Sequence, residues 1–261
     1  MTKTTFYRLL TELSARPWIS RGAGAFAKSS LSKGMIRGFA KAYQIPLAEA
    51  EHAVDHYPTL NAFFTRRLKP GARLIDGEAS TIVSPVDAQI TAKGVIADGL
   101  MLQVKGQTYT IDELLDGSER AEKYKRGYFF VLYLSPRDYH RIHVPVTGTI
   151  VEKQPIAGRV YPVNHMAMTN VPQVLSRNYR IASYIKHDKG EVAVVKVGAL
   201  NVASIQFVED LHDQVNKGDE LAYFEFGSTI VLLMQEGTFS PRADLLIGSR
   251  VKMGEGLGTT L

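Results

Sequence analysis

The sequence predicts an α+β chain, with N-terminal helices followed by a mainly antiparallel β body of sandwich or barrel-like form. Three observations carry this. Apolar residues recur at helical spacing in the first 70 residues. From about residue 80 the period shortens to strand-like runs rich in Val, Ile, Tyr and Phe, broken by Gly, Pro and Asp. Two of these breaks echo each other: Pro85-Val86-Asp87-Ala88-Gln89-Ile90 and Pro145-Val146-Thr147-Gly148-Thr149-Ile150 share Pro-Val and Ile at the same offsets, which suggests an internally duplicated β unit.

The elements follow in order. Phe6, Leu9, Leu10 and Leu13 mark one face of a first helix, and Pro17 ends or kinks it. Leu31, Met35 and Phe39 form a second apolar stripe, with Lys33, Arg37 and Lys41 about half a turn away. Leu47, Ala50 and Val54 continue a helical pattern over residues 46–70, which Pro58 interrupts and Pro70-Gly71 stops. Strands are expected at Thr81–Val83, Gln89–Val95, Met101–Val104, Tyr128–Leu134, Gly148–Glu152, Val192–Val197, Val202–Phe207, Leu221–Phe224 and Ile230–Met234, with a short helix at Ile111–Leu115. No low-complexity linker divides the β part, so residues 1–79 are read as a helical region and 80–261 as one β-rich domain.

Composition narrows the function classes. The 261 residues include no cysteine, which excludes disulfides, thiol catalysis and cysteine metal sites. No apolar run approaches the ~18 residues needed to span a bilayer, and no signal-peptide pattern is read. The net charge of +5 is uneven: residues 1–43 hold eight Lys and Arg against Glu12 alone. A basic amphipathic end with Trp18 and Tyr43 suits an anionic membrane surface. Two helices packed on the body, with a solvated basic face, give the same pattern. No base-reading motif accompanies the charge, so no nucleic acid is expected.

One stretch combines the elements of nucleophilic chemistry. In Glu225-Phe226-Gly227-Ser228-Thr229 a Gly without a side chain precedes a hydroxyl, just before the apolar run Ile230–Met234. As a tripeptide, Gly-Ser-Thr is equally a hairpin turn. A Ser nucleophile needs a base and an orienting acid. Two of the seven histidines, His140 and His143, follow the buried run Tyr128–Leu134, and Asp87 sits in a Pro-rich turn after Thr81–Val83. Singly, each also reads as a surface or turn residue. His-x-x-His before a proline, without a following Glu, is not metalloprotease spacing, so no metal site is expected.

Further motifs join these in a fixed order. They are Phe63-Phe64-Thr65-Arg66-Arg67-Leu68-Lys69-Pro70-Gly71-Ala72-Arg73, Ser84-Pro85-Val86-Asp87, Lys105-Gly106, and Asp138-Tyr139-His140-Arg141-Ile142-His143. Pro162-Val163-Asn164, Val197-Gly198-Ala199, Lys217-Gly218-Asp219-Glu220-Leu221 and Phe226-Gly227-Ser228-Thr229 follow. From about residue 55 onward the chain resembles the bacterial-type phosphatidylserine decarboxylases, pyruvoyl-dependent enzymes made as self-cleaving proenzymes. It departs from the family pattern at Ala88, Tyr179 and Ala203, which bears on local turn geometry.

The resemblance implies specific roles. Asp87 orients His143, His143 deprotonates Ser228, and Ser228 attacks the Gly227 carbonyl to give an ester. Elimination across the Ser228 Cα–Cβ bond and loss of ammonia leave a pyruvoyl group at position 228. The pyruvoyl group forms a Schiff base with the serine amine of phosphatidylserine and takes up electrons as carbon dioxide leaves, giving phosphatidylethanolamine without an external cofactor. His140 is the candidate proton donor for that step. The large and small chains stay together through Ile230–Met234. The implied setting is the cytoplasmic face of the cell membrane, bound peripherally, with a homodimer as an open option. Two other classes compete: a non-catalytic duplicated β module of the carrier type, and a Ser-His-Asp hydrolase using Ser228, His143 and Asp87. The absence of a Gly-x-Ser-x-Gly elbow counts against the hydrolase.

Overall fold

The computed structural model describes residues 17–104, 107–163, 171–199, 205–225 and 228–261. The stripe at Phe6–Leu13, the Lys105-Gly106 motif, Asn164 and the Phe226-Gly227 pair lie outside the described residues.

The helical part is a set of short pieces: Pro17–Lys28, a 3₁₀ segment Ser30–Met35, a helix Ile36–Ala42, 3₁₀ turns at Leu47–Glu49 and Val54–His56, and a helix Leu60–Phe64. Of the stripe expected at Leu31, Met35 and Phe39, only Phe39 packs against the core. Leu31 is 79% and Met35 51% exposed, while Ile36 and Ala40 pack with Ile45, Tyr57 and Phe63. The 3₁₀ turn advances three residues per turn instead of 3.6, so the phase shifts before Ile36. The helix expected over 46–70 is broken likewise. Tyr57, before Pro58, is extended, and Thr59 restarts a helix by accepting the Ala62 N–H at 3.1 Å. Ser32 ties these pieces together, donating to the Ala27 carbonyl and accepting from the Leu60 N–H, both at 2.9 Å.

The body is an antiparallel eight-stranded sheet. Its order is Gln214–Val215, Gly148–Ile156, Arg180–His187, Gly190–Val197, Ser228–Met234, Tyr128–Leu134, Ala88–Val95 and Arg250–Val251. Ser228–Met234 lies in the middle, paired to Tyr128–Leu134 on one side and Gly190–Val197 on the other, with every residue buried. Side chains alternate between faces. Val231 and Leu233 join a core with Phe129, Val195 and the short helices Ile111–Leu114 and Val174–Arg177. Ile230, Leu232 and Met234 face a second core with Ile142, Leu221 and Leu257. Burying each such side chain contributes roughly 1.5–3 kcal/mol. Both faces are covered, so the strand reads as an unbroken apolar run. The sheet does not close, and two three-stranded sheets, Thr81–Val83/Gly256–Thr260/Phe239–Pro241 and Ile205–Phe207/Glu220–Phe224/Arg141–His143, complete a sandwich-like body.

The sequence echo is structural. Thr81–Val83 bends into Ala88–Val95 as Arg141–His143 bends into Gly148–Ile156. The two bends exchange backbone bonds, Val83 N–H to Pro145 O at 3.0 Å and His143 N–H to Pro85 O at 2.8 Å. Each unit is closed by a turn with a glycine in the left-handed region, Gly218 at φ 93° and Gly254 at φ 88°. Asp87 accepts the Met253 N–H at 2.9 Å, and at the equivalent place Thr147 accepts the Lys217 N–H at 3.0 Å.

Candidate active site

Ser228 opens the described part of the central strand, paired with Leu134, and is fully buried. The chain beyond Leu134 turns at Ser135–Asp138, where Asp138 accepts the Ser135 N–H at 2.8 Å and the Ser135 hydroxyl at 2.7 Å. The turn brings His140 back over the head of the strand. Phe224 N–H donates to the His140 carbonyl at 2.9 Å, fixing its backbone.

His140 Nδ1 is 3.4 Å from Ser228 Oγ. Its Nε2 lies 3.1 Å from the Ser135 carbonyl, which can only accept, so Nε2 carries the proton and Nδ1 presents a lone pair to the serine. The ring stacks on Phe64 with centroids 4.0 Å apart. Burial, and next the Arg66 charge, push its pKa down to about 3. His140 is therefore a neutral imidazole at physiological pH.

His143 occupies a different place. It lies opposite Glu220, three residues along from His140. Its Nδ1 donates to the Gly218 carbonyl at 2.7 Å, and its Nε2 accepts from the Tyr139 hydroxyl at 3.1 Å. Burial lowers its pKa, while the Gly218 bond and the charges of Glu220 and Asp87 act in the opposite direction. Asp87 is gripped by Arg73, whose Nε is 2.8 and 3.1 Å from the two carboxylate oxygens and whose Nη2 makes a further short contact. Arg73 Nη2 also reaches Glu49 at 2.8 Å. Among the described residues, no hydrogen bond joins Asp87 to His143 or His143 to Ser228. Gly227 lies outside the described residues.

The arrangement thus assembles Ser228 with His140, and sets Asp87 and His143 in an adjoining layer with Tyr139 and Arg73. Sequence reasoning missed Arg73, Tyr139 and Phe64 as parts of the site, although all three fall inside motifs it singled out. Another buried group stands just before the serine: Glu225 pairs with Lys28 at 2.8 Å, linking the N-terminal helix to this stretch. Chemically, a buried hydroxyl beside an uncharged imidazole lone pair can share its proton with the ring, and a serine that loses its proton can attack a neighbouring carbonyl. No group of residues suited to hold a metal occurs among the described residues.

Comparison with known proteins agrees with the motif order. Residues 60–259 match the family described as phosphatidylserine decarboxylase. The chain is 41% identical over 252 residues to a protein of Geobacillus kaustophilus named phosphatidylserine decarboxylase proenzyme, covering 97% of this chain and 95% of that one. It is also 41% identical over 259 residues to a Bacillus anthracis protein of the same name, covering 99% and 98%. An Anoxybacillus flavithermus protein of that name matches at 41% over 252 residues. Neither the non-catalytic module nor the hydrolase is favoured by these matches.

Proposed function

The chain belongs to the phosphatidylserine decarboxylase family, and we propose that it is a proenzyme that cuts itself before Ser228 and then converts phosphatidylserine to phosphatidylethanolamine. The observation that carries this reading is the Ser228 hydroxyl, buried at the head of the central strand with an imidazole lone pair 3.4 Å away.

In self-cleavage, Ser228 Oγ loses its proton and attacks the Gly227 carbonyl, and the peptide bond is exchanged for an ester. Loss of the Cα proton breaks the Cβ–O bond and releases the front chain as a carboxylate ending at Gly227. Water then displaces ammonia at position 228. A pyruvoyl group formed there supplies a carbonyl that accepts the lipid's amine and draws electrons as carbon dioxide departs. The residues present fit such a group: position 228 is buried, beside an uncharged ring, and held by sheet pairing on both sides of the strand it begins.

We assign the two histidines different work. His143, with Asp87, serves as the base of self-cleavage, and His140 holds and returns a proton at position 228 during decarboxylation. Burial lowers the pKa of both rings, His140 to about 3, and at His143 the Gly218 bond and the Glu220 and Asp87 charges oppose that shift, which supports the first assignment. The relay requires the Tyr139 hydroxyl to leave His143 Nε2 and Asp87 to loosen from Arg73. A second reading gives both tasks to His140, and the 3.4 Å contact favours it.

The exposed Leu31 and Met35, with Lys33 and Lys41 beside them, support a surface that rests on an anionic membrane, at its cytoplasmic face. No helix among the described residues is long and apolar enough to cross a membrane. The test of the function is a denaturing gel of purified protein, followed by measurement of carbon dioxide released from phosphatidylserine. Two fragments with a blocked small chain, and carbon dioxide release, are expected; one intact, inactive chain sinks the proposal.

A further inference from the structure

Arg66 is 3% exposed, yet it has no carboxylate partner among the described residues. Its Nη1 and Nη2 reach only the carbonyls of Phe63 and Asp138, at 3.4 and 3.5 Å, and its Nε has no partner. The guanidinium otherwise lies over the Phe63 ring at 5.1 Å. A buried cation without a counter-charge is costly, and the cost falls when an anion binds.

A cleft of about 450 Å³ opens beside it. Its wall carries four acids, and each is already engaged. Arg73 holds Glu49 and Asp87, Arg250 holds Asp138, and Glu255 takes the Lys252 N–H and Arg242. Three lining cations, Arg66, Arg137 and Lys252, have no carboxylate partner among the described residues. Arg66, which lines the cleft, lies close enough to His140 for its charge to act on that ring, and His140 faces Ser228.

We propose that this cleft is the phosphate subsite for the lipid headgroup, with Arg66 and Arg137 binding the phosphodiester. The inference rests on the function proposed above, and deepens it. In phosphatidylserine the phosphate stands two carbons from the amine, so a phosphate held at Arg66 leaves the amine on the side of His140 and position 228. The planar forks of the two arginines match phosphate oxygens. Burial of Arg66 makes the site selective for an anion that sheds its own water.

Arg137 is exposed and can be changed without disturbing the core. With matured enzyme and soluble short-chain phosphatidylserine, Arg137→Gln is expected to raise KM about tenfold, the worth of one charge-assisted hydrogen bond, with kcat changed less than about twofold. Arg66→Lys, which keeps charge but loses the fork, is expected to raise KM as well. Glycerophosphoethanolamine should compete in the wild type, and its inhibition should weaken in Arg137→Gln by the same factor as KM rises. Unchanged KM and unchanged inhibition in both variants overturn the proposal. Inorganic phosphate that competes as well as the phosphodiester overturns the headgroup assignment, since the cleft would then be a free-phosphate site. If the wild type neither cuts itself nor decarboxylates, the function fails instead. Calorimetric titration of glycerophosphoethanolamine into the uncut wild type and Arg137→Gln still decides the subsite, weaker binding to the variant supporting it and equal or absent binding rejecting it.

Discussion

His140 Nδ1 faces Ser228 Oγ at 3.4 Å, while His143, three residues on, is tied by both ring nitrogens to Gly218 and Tyr139. Two neighbouring histidines therefore meet different atoms, and their variants should fail at different stages. His143→Ala and Asp87→Ala are expected to accumulate uncut chain. His140→Ala is expected to mature at least partly and to turn over slowly. The fraction cut on a gel and the carbon dioxide released per cut molecule separate the stages. If His140→Ala stays uncut while His143→Ala matures, the residue in contact with Ser228 performs both tasks and the relay is rejected.

Ser228→Ala removes both the attacking oxygen and the source of the carbonyl. One intact chain without decarboxylase activity is expected. The substitution leaves the Ile230–Met234 pairing in place, so the thermal midpoint should stay within a few degrees of an uncut control. Cleavage of this variant would exclude Ser228 as the nucleophile.

Much of this architecture was legible in the sequence, for identifiable reasons. Tyr128–Leu134 was read with its exact bounds, because a fully buried strand is an unbroken apolar run. The short helix expected at Ile111–Leu115 forms over Ile111–Leu114, where Thr110 and Glu113 make a capping box. Arg180–His187 was missed, since Arg180, Ser183, Lys186 and His187 dilute its apolar content. Arg180 and Ser183 are nonetheless buried, satisfied by carbonyls of Glu113 and Leu114 and by Lys196, partners far away in the chain. The same limit applied at the site. Motif order singled out Ser228, His140, His143 and Asp87 as candidates, but Arg73 as the partner of Asp87 is a tertiary fact no local pattern encodes.

The N-terminal surface gives a third prediction. Removing residues 1–43 wholesale would strip Ile36 and Ala40 from Phe63, and Phe64 next to it supports the His140 ring. Truncation therefore confounds membrane binding with folding of the site. Lys33→Glu with Lys41→Glu avoids this, since both side chains are exposed. Each basic residue near an anionic surface contributes on the order of 1 kcal/mol, so binding to anionic vesicles should fall by at least about tenfold while self-cleavage is unchanged. Vesicle sedimentation at low and high salt reads this. Binding that ignores both the substitutions and the salt would rule out an electrostatic anchor.

The buried imidazole also predicts how stability responds to acid. In the unfolded chain His140 takes up a proton below its ordinary value of 6.5, but in the folded protein it does so only near 3. Between those values the unfolded state binds more protons, so stability falls as the pH drops through that window. The slope approaches about 1.4 kcal/mol per pH unit for one proton. His143 and His187, also lowered by burial, add to it in the same direction. Urea midpoints of the uncut Ser228→Ala chain should therefore decrease from pH 7 to pH 5. Adding His140→Phe, which keeps a ring for Phe64 to stack on and removes the titrating group, should flatten that decrease. An equally steep decrease with His140→Phe would show that His140 is not the proton acceptor, and would remove the case for a neutral ring beside Ser228.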